Sequence, residues 1–543
     1  MTANGKGLRR RDFLLGIGKA AGGSAMLRAM LAMGISSSLV SCGGSSAAPV
    51  ANNPPSTPPQ PNPIRSPRPG DWPTNAGAGR RVAILGAGIA GMTAALELRR
   101  LGYQCTVLEA RPVAGGRNRT LRGGDLAEET DSSQTCQFDA DPDLYFNPGP
   151  ARIPHHHDLL LGYCREFGVA LEPFINQNQA ALLHAPGAFG GQPQIARRVV
   201  ADLRGNLSAL LASAVNQGAL DLELSATDRV NVLRTVRSLG DLSSGLIYVG
   251  SERAGFPGQE NGGSRLRGDP LPELDFSELV NEAFFQSRID FFEGLNQQPT
   301  MLQPVGGMDR ITVAFAAAVE PDVIYEAEVT EIRKTADGAT IGYRDRFGTL
   351  QSLESDWCIC TIPTPVLRDI PNDFSNNHAT AIAAFNYTEA TKIAFQSRRF
   401  WEEDHNIYGG ISWTNQDITQ IWYPSSGFGR PQGILVGSYI FGGTAGTNFS
   451  NQSVSQRINT TTSQASAVHP QFGGEASRGI SVAWPKVPFQ RGGWGVSSPG
   501  ILLTPDDAIF FAGEHLSILQ GWQEGAILSA YHVIDGIVAQ DSA

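Results

Sequence analysis

Arg81-Val82-Ala83-Ile84-Leu85 is a short apolar, strand-forming run that passes without a break into Gly86-Ala87-Gly88-Ile89-Ala90-Gly91. Met92 to Arg100 then carries apolar Ala95, Leu96 and Leu98 in a helix-like pattern, so the order is strand, glycine-rich turn, helix. Each glycine has a separate task. Gly86 permits a tight turn, Gly88 lets a pyrophosphate approach the backbone, and Gly91 lets helix and strand pack closely, while the helix N-terminus offers amides to the anion. A second strand, Cys105-Thr106-Val107-Leu108, ends at Glu109, an acid suited to accept hydrogen bonds from an adenosine ribose and unsuited to a 2'-phosphate. The combination predicts a dinucleotide site in an α/β domain.

The rest of the 543-residue chain is compatible with this. Length alone allows several domains or two interleaved ones, and 41% hydrophobic with 17% charged residues describes a globular protein. Lys+Arg 42 against Asp+Glu 52 gives a net charge of -10, which excludes a nucleic-acid binder that needs a basic footprint. Six cysteines are too few for a disulfide scaffold.

The first eighty residues read as address and tether. Arg10-Arg11-Asp12-Phe13-Leu14-Leu15 resembles a twin-arginine export signal, and Leu39-Val40-Ser41-Cys42 resembles a lipobox whose cysteine, Cys42, would carry lipid; a chance cysteine after a signal is the alternative. Lys19 and Arg28 interrupt the apolar stretch, so no membrane-spanning helix is expected there. Residues 43–79 are rich in Pro, Ser, Asn and Gly and predict an extended linker. The expected location is periplasmic, with the membrane reached only through the lipid anchor.

Downstream of Glu109, the run Leu108-Glu109-Ala110-Arg111 to Gly115-Gly116-Arg117 resembles the flavin-containing amine oxidase family, which includes monoamine, polyamine and L-amino acid oxidases. The resemblance implies FAD, with Gly116 and Arg117 at its pyrophosphate. It returns at the other end of the chain, where Ile509-Phe510-Phe511-Ala512-Gly513-Glu514-His515 leads to Gly521-Trp522-Gln523-Glu524-Gly525-Ala526 and a last helix. There the family places Gly513 and Glu514 at the flavin, with Glu514 on the ribityl chain. Val329, in Glu328-Val329-Thr330-Glu331-Ile332, resembles the element that touches adenine through backbone. The last cysteine is Cys360, so the C-terminal thioether of monoamine oxidases has no counterpart and the FAD is expected to be noncovalent. Cys358 and Cys360 point the same way on a strand and are poorly placed to bridge.

The implied fold is a Rossmann-like FAD domain (residues 80–150, 300–370 and 500–540) interleaved with a substrate-binding domain of mixed sheet and helices (151–299 and 371–499). Helical patterns run from Asp158 to Phe167 and from Glu278 to Leu295. Residues 185–265, rich in Gly, Asn and Ser, read either as an ordered lid or as a mobile insertion.

Four residues are expected at the substrate. Asn147-Pro148-Gly149-Pro150-Ala151-Arg152 resembles the stretch in L-amino acid oxidases and tryptophan 2-monooxygenases whose arginine pairs with the substrate carboxylate, and Arg152 would also border the cofactor. Read alone, Arg152 is equally a surface ion pair at a turn. Thr391-Lys392-Ile393-Ala394-Phe395 matches the segment whose lysine holds a water near the flavin, although a lysine in an apolar strand is by itself more often an edge-strand charge. Gln420-Ile421-Trp422-Tyr423-Pro424 resembles the stretch that places a tyrosine on the carboxylate; Tyr423 is the expected residue, with Trp422 one step of register away. Trp522, and less clearly Trp494, would wall the flavin. His155-His156-His157 is not expected to bind metal, because three adjacent residues converge poorly on one ion.

The resemblance thus implies oxidative deamination of an L-amino acid to a 2-oxo acid, ammonia and hydrogen peroxide, with oxygen or another acceptor taking the electrons. The sequence leaves open a tryptophan 2-monooxygenase, an amine or polyamine oxidase, a dehydrogenase and a catalytically silent flavin-binding partner. It leaves a homodimer open too.

Overall fold

The computed structural model describes residues 68–256 and 269–542. Arg10, Arg11 and Cys42, and with them the expected export signal and lipid anchor, lie outside the described residues. The described chain forms two compact units, one of residues 178–256, 269–297 and Ser412–Asn415, the other of 68–177, 298–411 and 416–542.

In the larger unit, five parallel strands lie in the order Val323–Tyr325, Gln104–Glu109, Arg81–Leu85, Trp357–Cys360 and Ile509–Phe511. The central strand is apolar at nearly every position because both faces are covered. Ala83, Ile84 and Leu85 have no exposed surface. Helix Ile89–Arg100 and the last helix, Gln523–Asp541, pack together on one face through Met92, Leu98, Ile527, Ile534 and Ile537, and each fully buried Leu or Ile there stabilises the unit by about 1.5–3 kcal/mol. This is the mixed α/β fold that the sequence predicts, with its strands drawn from both ends of the chain.

The same unit holds an antiparallel set in the order Ser477–Ala483, Ala390–Arg398, Gln432–Phe441 and Gln420–Trp422. Ala390–Arg398 therefore has a neighbour on each side, and its first eight residues are buried. Lys392 is a central-strand lysine, which removes the edge-strand explanation for it.

In the smaller unit, helices Ala196–Asn216 and Ala226–Leu239 pack along a core of Leu211, Ala212, Val215 and Val236, so much of the stretch 185–256 is regular helix. Ser225 caps the second helix through a reciprocal bond with Asp228. The expected helix from Glu278 to Leu295 is broken into Phe276–Asn281 and Ala283–Asp290, because Glu282 between them is extended (φ -102°, ψ 92°).

Candidate active site

The glycine-rich turn has the geometry its residues require. Gly86 adopts φ 106°, where a side chain would be strained. A Cβ on Gly91 would stand 2.0 Å from the Gly86 carbonyl oxygen, so helix and turn can approach only with glycine there. Around Gly88, by contrast, a Cβ would meet nothing within 4 Å, and that open space lies at the N-cap of helix Ile89–Arg100. The second glycine pair, Gly115 and Gly116, also has positive φ, and a Cβ on Gly116 would lie 3.7 Å from Gly88 Cα. Two glycine turns thus border one gap. Glu109 closes its far side, accepting the Ala87 amide at 2.8 Å and the Arg111 amide at 3.0 Å; burial pushes its carboxyl up, and the two amides oppose that shift. An open cradle, amides at a helix start and a buried acid together fit the pyrophosphate and ribose of FAD.

Other expected cofactor residues converge from distant sequence. Arg117 donates to Glu514 at 2.7 Å and to the Gly493 carbonyl at 2.8 Å. Glu514 also accepts from the Gly495 and Gly521 amides at 3.2 and 2.7 Å, so it joins both glycine segments to the Arg117 turn. Gly513 adopts φ 147° and donates to the Ser529 hydroxyl of the last helix. Val329, buried in strand Glu328–Thr335, sits at a bulge where the register shifts before Glu331. Cys358 and Cys360 are both buried and free.

At the substrate end, Lys392 is 3% exposed and donates to the carbonyls of Asn147 and Gly149, at 3.1 and 2.6 Å. Trp484 Nε1 donates to the Pro148 carbonyl between them at 2.9 Å. Lys392 and Trp484 therefore pin the loop that presents Arg152. The Arg152 guanidinium carbon lies 4.5 Å from the Trp422 ring centre and 6.0 Å from that of Trp522, and Lys392 Nζ lies 5.2 Å from Trp422 and 4.6 Å from Tyr439. Burial pulls the Lys392 ammonium down to about 7, and the neighbouring Arg152 charge adds to the fall. Burial also lowers Arg152, to about 10. Trp522 receives the edge of His157 at 5.2 Å, and Trp494 lies beneath Gly521, where a Cβ would stand 3.2 Å from its ring.

Tyr423, the tyrosine expected on the carboxylate, lines the cavity that also reaches Lys392 and Trp422. The hydroxyl of Tyr423 is hydrogen-bonded to His469 Nε2 at 2.6 Å, within the core, and its ring packs against Trp401. The tyrosine beside the two cations is Tyr439, the cross-strand partner of Lys392, whose hydroxyl is raised to about 12 by burial against the opposing Arg152 charge. Alternation along Gln432–Phe441 could have drawn attention to Tyr439; only the strand pairing connects it with Lys392. Trp422 stands on the Arg152 side, with its Nε1 held by Gln420 at 2.8 Å. A cavity of about 260 Å³ reaches Lys392 and Trp422 and is walled by Tyr145, Phe174, Ile434 and Val436. Among the described residues no group of three His, Cys, Asp or Glu side chains could hold a metal.

Residues 89–535 match the family described as flavin containing amine oxidoreductase. YobN of Bacillus subtilis (strain 168), provisionally named an L-amino-acid oxidase, is 28% identical over 478 residues, which cover 84% of this chain and 94% of that protein. The flavin-dependent L-tryptophan oxidase RebO of Lentzea aerocolonigenes is 26% identical over 495 residues, covering 85% of this chain and 98% of its own. Among solved structures, cyclohexylamine oxidase from Brevibacterium oxydans IH-35A shares the fold, with a TM-score of 0.56 at 16% identity over 86% of this chain and 100% of that one. The chain belongs to the flavin-containing amine oxidoreductase family and is an FAD-dependent oxidoreductase acting on amines.

Proposed function

We propose that the substrate is an L-amino acid, oxidised to its imino acid and released as a 2-oxo acid and ammonia, with oxygen reduced to hydrogen peroxide. The observation that carries this reading is the Arg152 guanidinium held over the Trp422 ring beside a second buried basic group, Lys392. Two neighbouring cations away from water favour an anion between them, and the planar fork of arginine matches a carboxylate in two parallel hydrogen bonds. Bound FAD supplies the acceptor for the α-hydrogen and two electrons that leave the substrate. Arg152 holds the carboxylate, and Tyr439 adds a hydroxyl to the same group. Trp422 and Trp522 keep water from the pair and so strengthen it. Lys392, poised near neutrality, holds or passes a proton on the substrate side. Fixing the substrate by its carboxylate makes positioning the main catalytic term.

The test is anaerobic mixing of the flavin-loaded enzyme with the twenty amino acids and a panel of primary amines. Bleaching of the flavin by L-amino acids, lost in Arg152→Ala, supports the reading; bleaching by amines alone overturns it. Carbon dioxide and an amide as products would instead identify a monooxygenase. We also propose that the chain is exported through Arg10-Arg11 and lipidated at Cys42. Membrane fractionation that still recovers a Cys42→Ser variant in the membrane would refute the anchor.

A further inference from the structure

The smaller unit contains a cavity of about 380 Å³ that no step of amine oxidation uses, lined by Arg197, Arg204, Arg253, Asp241, Ser251 and Gln179 among others. Arg197 and Arg204 lie two turns apart on one face of helix Ala196–Asn216, with Val200 and Ala201 between them. Arg253 approaches from the turn Glu252–Ala254. Gly240, at the end of helix Ala226–Leu239, closes the floor; a Cβ there would stand 2.3 Å from the Ser208 side chain, so the two helices meet at this point.

Three features set this cluster apart from ordinary surface charge. Among the described residues, none of the three guanidiniums has a carboxylate within ion-pair distance. Two of them are held instead by neutral carbonyls: Arg253 donates to Leu239 and Ser238 at 2.8 and 3.0 Å, at the carbonyl end of a helix, and Arg197 Nε donates to Gln179 at 3.3 Å. The one acid in the lining, Asp241, accepts from the Ser251 hydroxyl at 2.6 Å. Third, the cluster belongs to a chain of net charge -10, so its local excess of cations runs against the overall balance. Like charges gathered around one cavity repel, and a bound anion relieves that repulsion.

We propose that the smaller unit binds a small multivalent oxyanion, a phosphate or a polycarboxylate, between Arg197, Arg204 and Arg253. The site is independent of the amino-acid reading, and none of its residues belongs to the oxidative site. The experiment is calorimetric titration of the flavin-loaded full chain with inorganic phosphate and, separately, with citrate, against chloride at matched ionic strength. Saturable binding of one equivalent is expected. It should weaken by about 10–100-fold in R197Q/R204Q, as for loss of hydrogen bonds to a charged group, and tighten in Asp241→Asn, which removes the lining carboxylate. Response to phosphate alone, citrate alone or both assigns the preferred oxyanion. The flavin spectrum and circular dichroism of each variant confirm folding. No saturable binding of either anion, or binding unchanged in R197Q/R204Q, overturns the proposal.

Discussion

The guanidinium carbon of Arg152 sits 4.5 Å from the centre of the Trp422 ring, so the charge that would read a carboxylate is held over an indole rather than swinging in water. Truncation to Arg152→Ala should lower kcat/KM for L-amino acids by about 10²–10³-fold, the range for removing one partner of a desolvated charge pair. A neutral primary amine, having no carboxylate to lose, should change little. Arg152→Lys keeps the charge and loses the fork, and should restore only a fraction. Steady-state rates with both substrate classes decide this, and equal losses on both would contradict the clamp.

Two tyrosines give the sharpest separation of near alternatives. Tyr439→Phe should raise KM for amino acids roughly tenfold, about one charged hydrogen bond. Tyr423→Phe should lower stability through its lost His469 bond while leaving KM nearly unchanged. The opposite pattern would return the role to Tyr423.

Lys392 makes both rate and stability depend on pH. Its ammonium is lowered to about 7 by burial and then by Arg152, so a limb of the pH–rate profile should fall near pH 7, vanish in Lys392→Met and move upward in Arg152→Ala. The stability sign follows from linkage. The unfolded lysine binds its proton up to about pH 10, the folded one only to about 7, so the burial penalty is full below pH 7 and is relieved as pH rises between those values. Lys392→Met should therefore be the more stable protein at pH 6, by up to about 4 kcal/mol, with its advantage shrinking towards pH 10. Denaturant melts at several pH values measure this, and a constant difference would contradict the lowered lysine.

Gly91→Ala places a methyl 2.0 Å from the Gly86 carbonyl oxygen, so the helix must shift away from the turn. The purified variant should contain much less flavin at equal protein, read from the ratio of visible to ultraviolet absorbance. A variant with full flavin content would show that the turn tolerates displacement.

Arg457 and Glu129 form a fully buried ion pair, 0% and 1% exposed, and Glu129 also accepts the Ala483 amide at 2.8 Å. Arg457→Met strands that carboxylate and should destabilise the larger unit by about 3–5 kcal/mol, whereas R457M/E129L should recover much of the loss. Equal losses in both variants would mean that packing rather than charge dominates the site.

The sequence was most readable where function is built from consecutive residues. Arg81 to Glu109 showed strand, turn, helix and acid because each piece answers a local demand, such as the turn at Gly86 or the close approach at Gly91. Pairing between distant strands was hidden. Tyr439 meets Lys392 only through the register of Ala390–Arg398 with Gln432–Phe441, and no local pattern ranks it against the adjacent pair Trp422 and Tyr423. The break at Glu282 was equally hidden, since the flanking residues favour helix and nothing in their order marks that one residue as extended.

The parallel sheet takes its edge strand from Ile509–Phe511, and the bond between Arg117 and Glu514 ties the first cofactor segment to the last. A ribosome making this chain must translate nearly all of it before that strand and Glu514 exist. Flavin capture is thus a late event in the life of the polypeptide, and a nascent chain stalled before Ile509 should carry its glycine turn without the partners that retain FAD. Small C-terminal truncations should consequently appear as cofactor deficiency rather than as the loss of one helix.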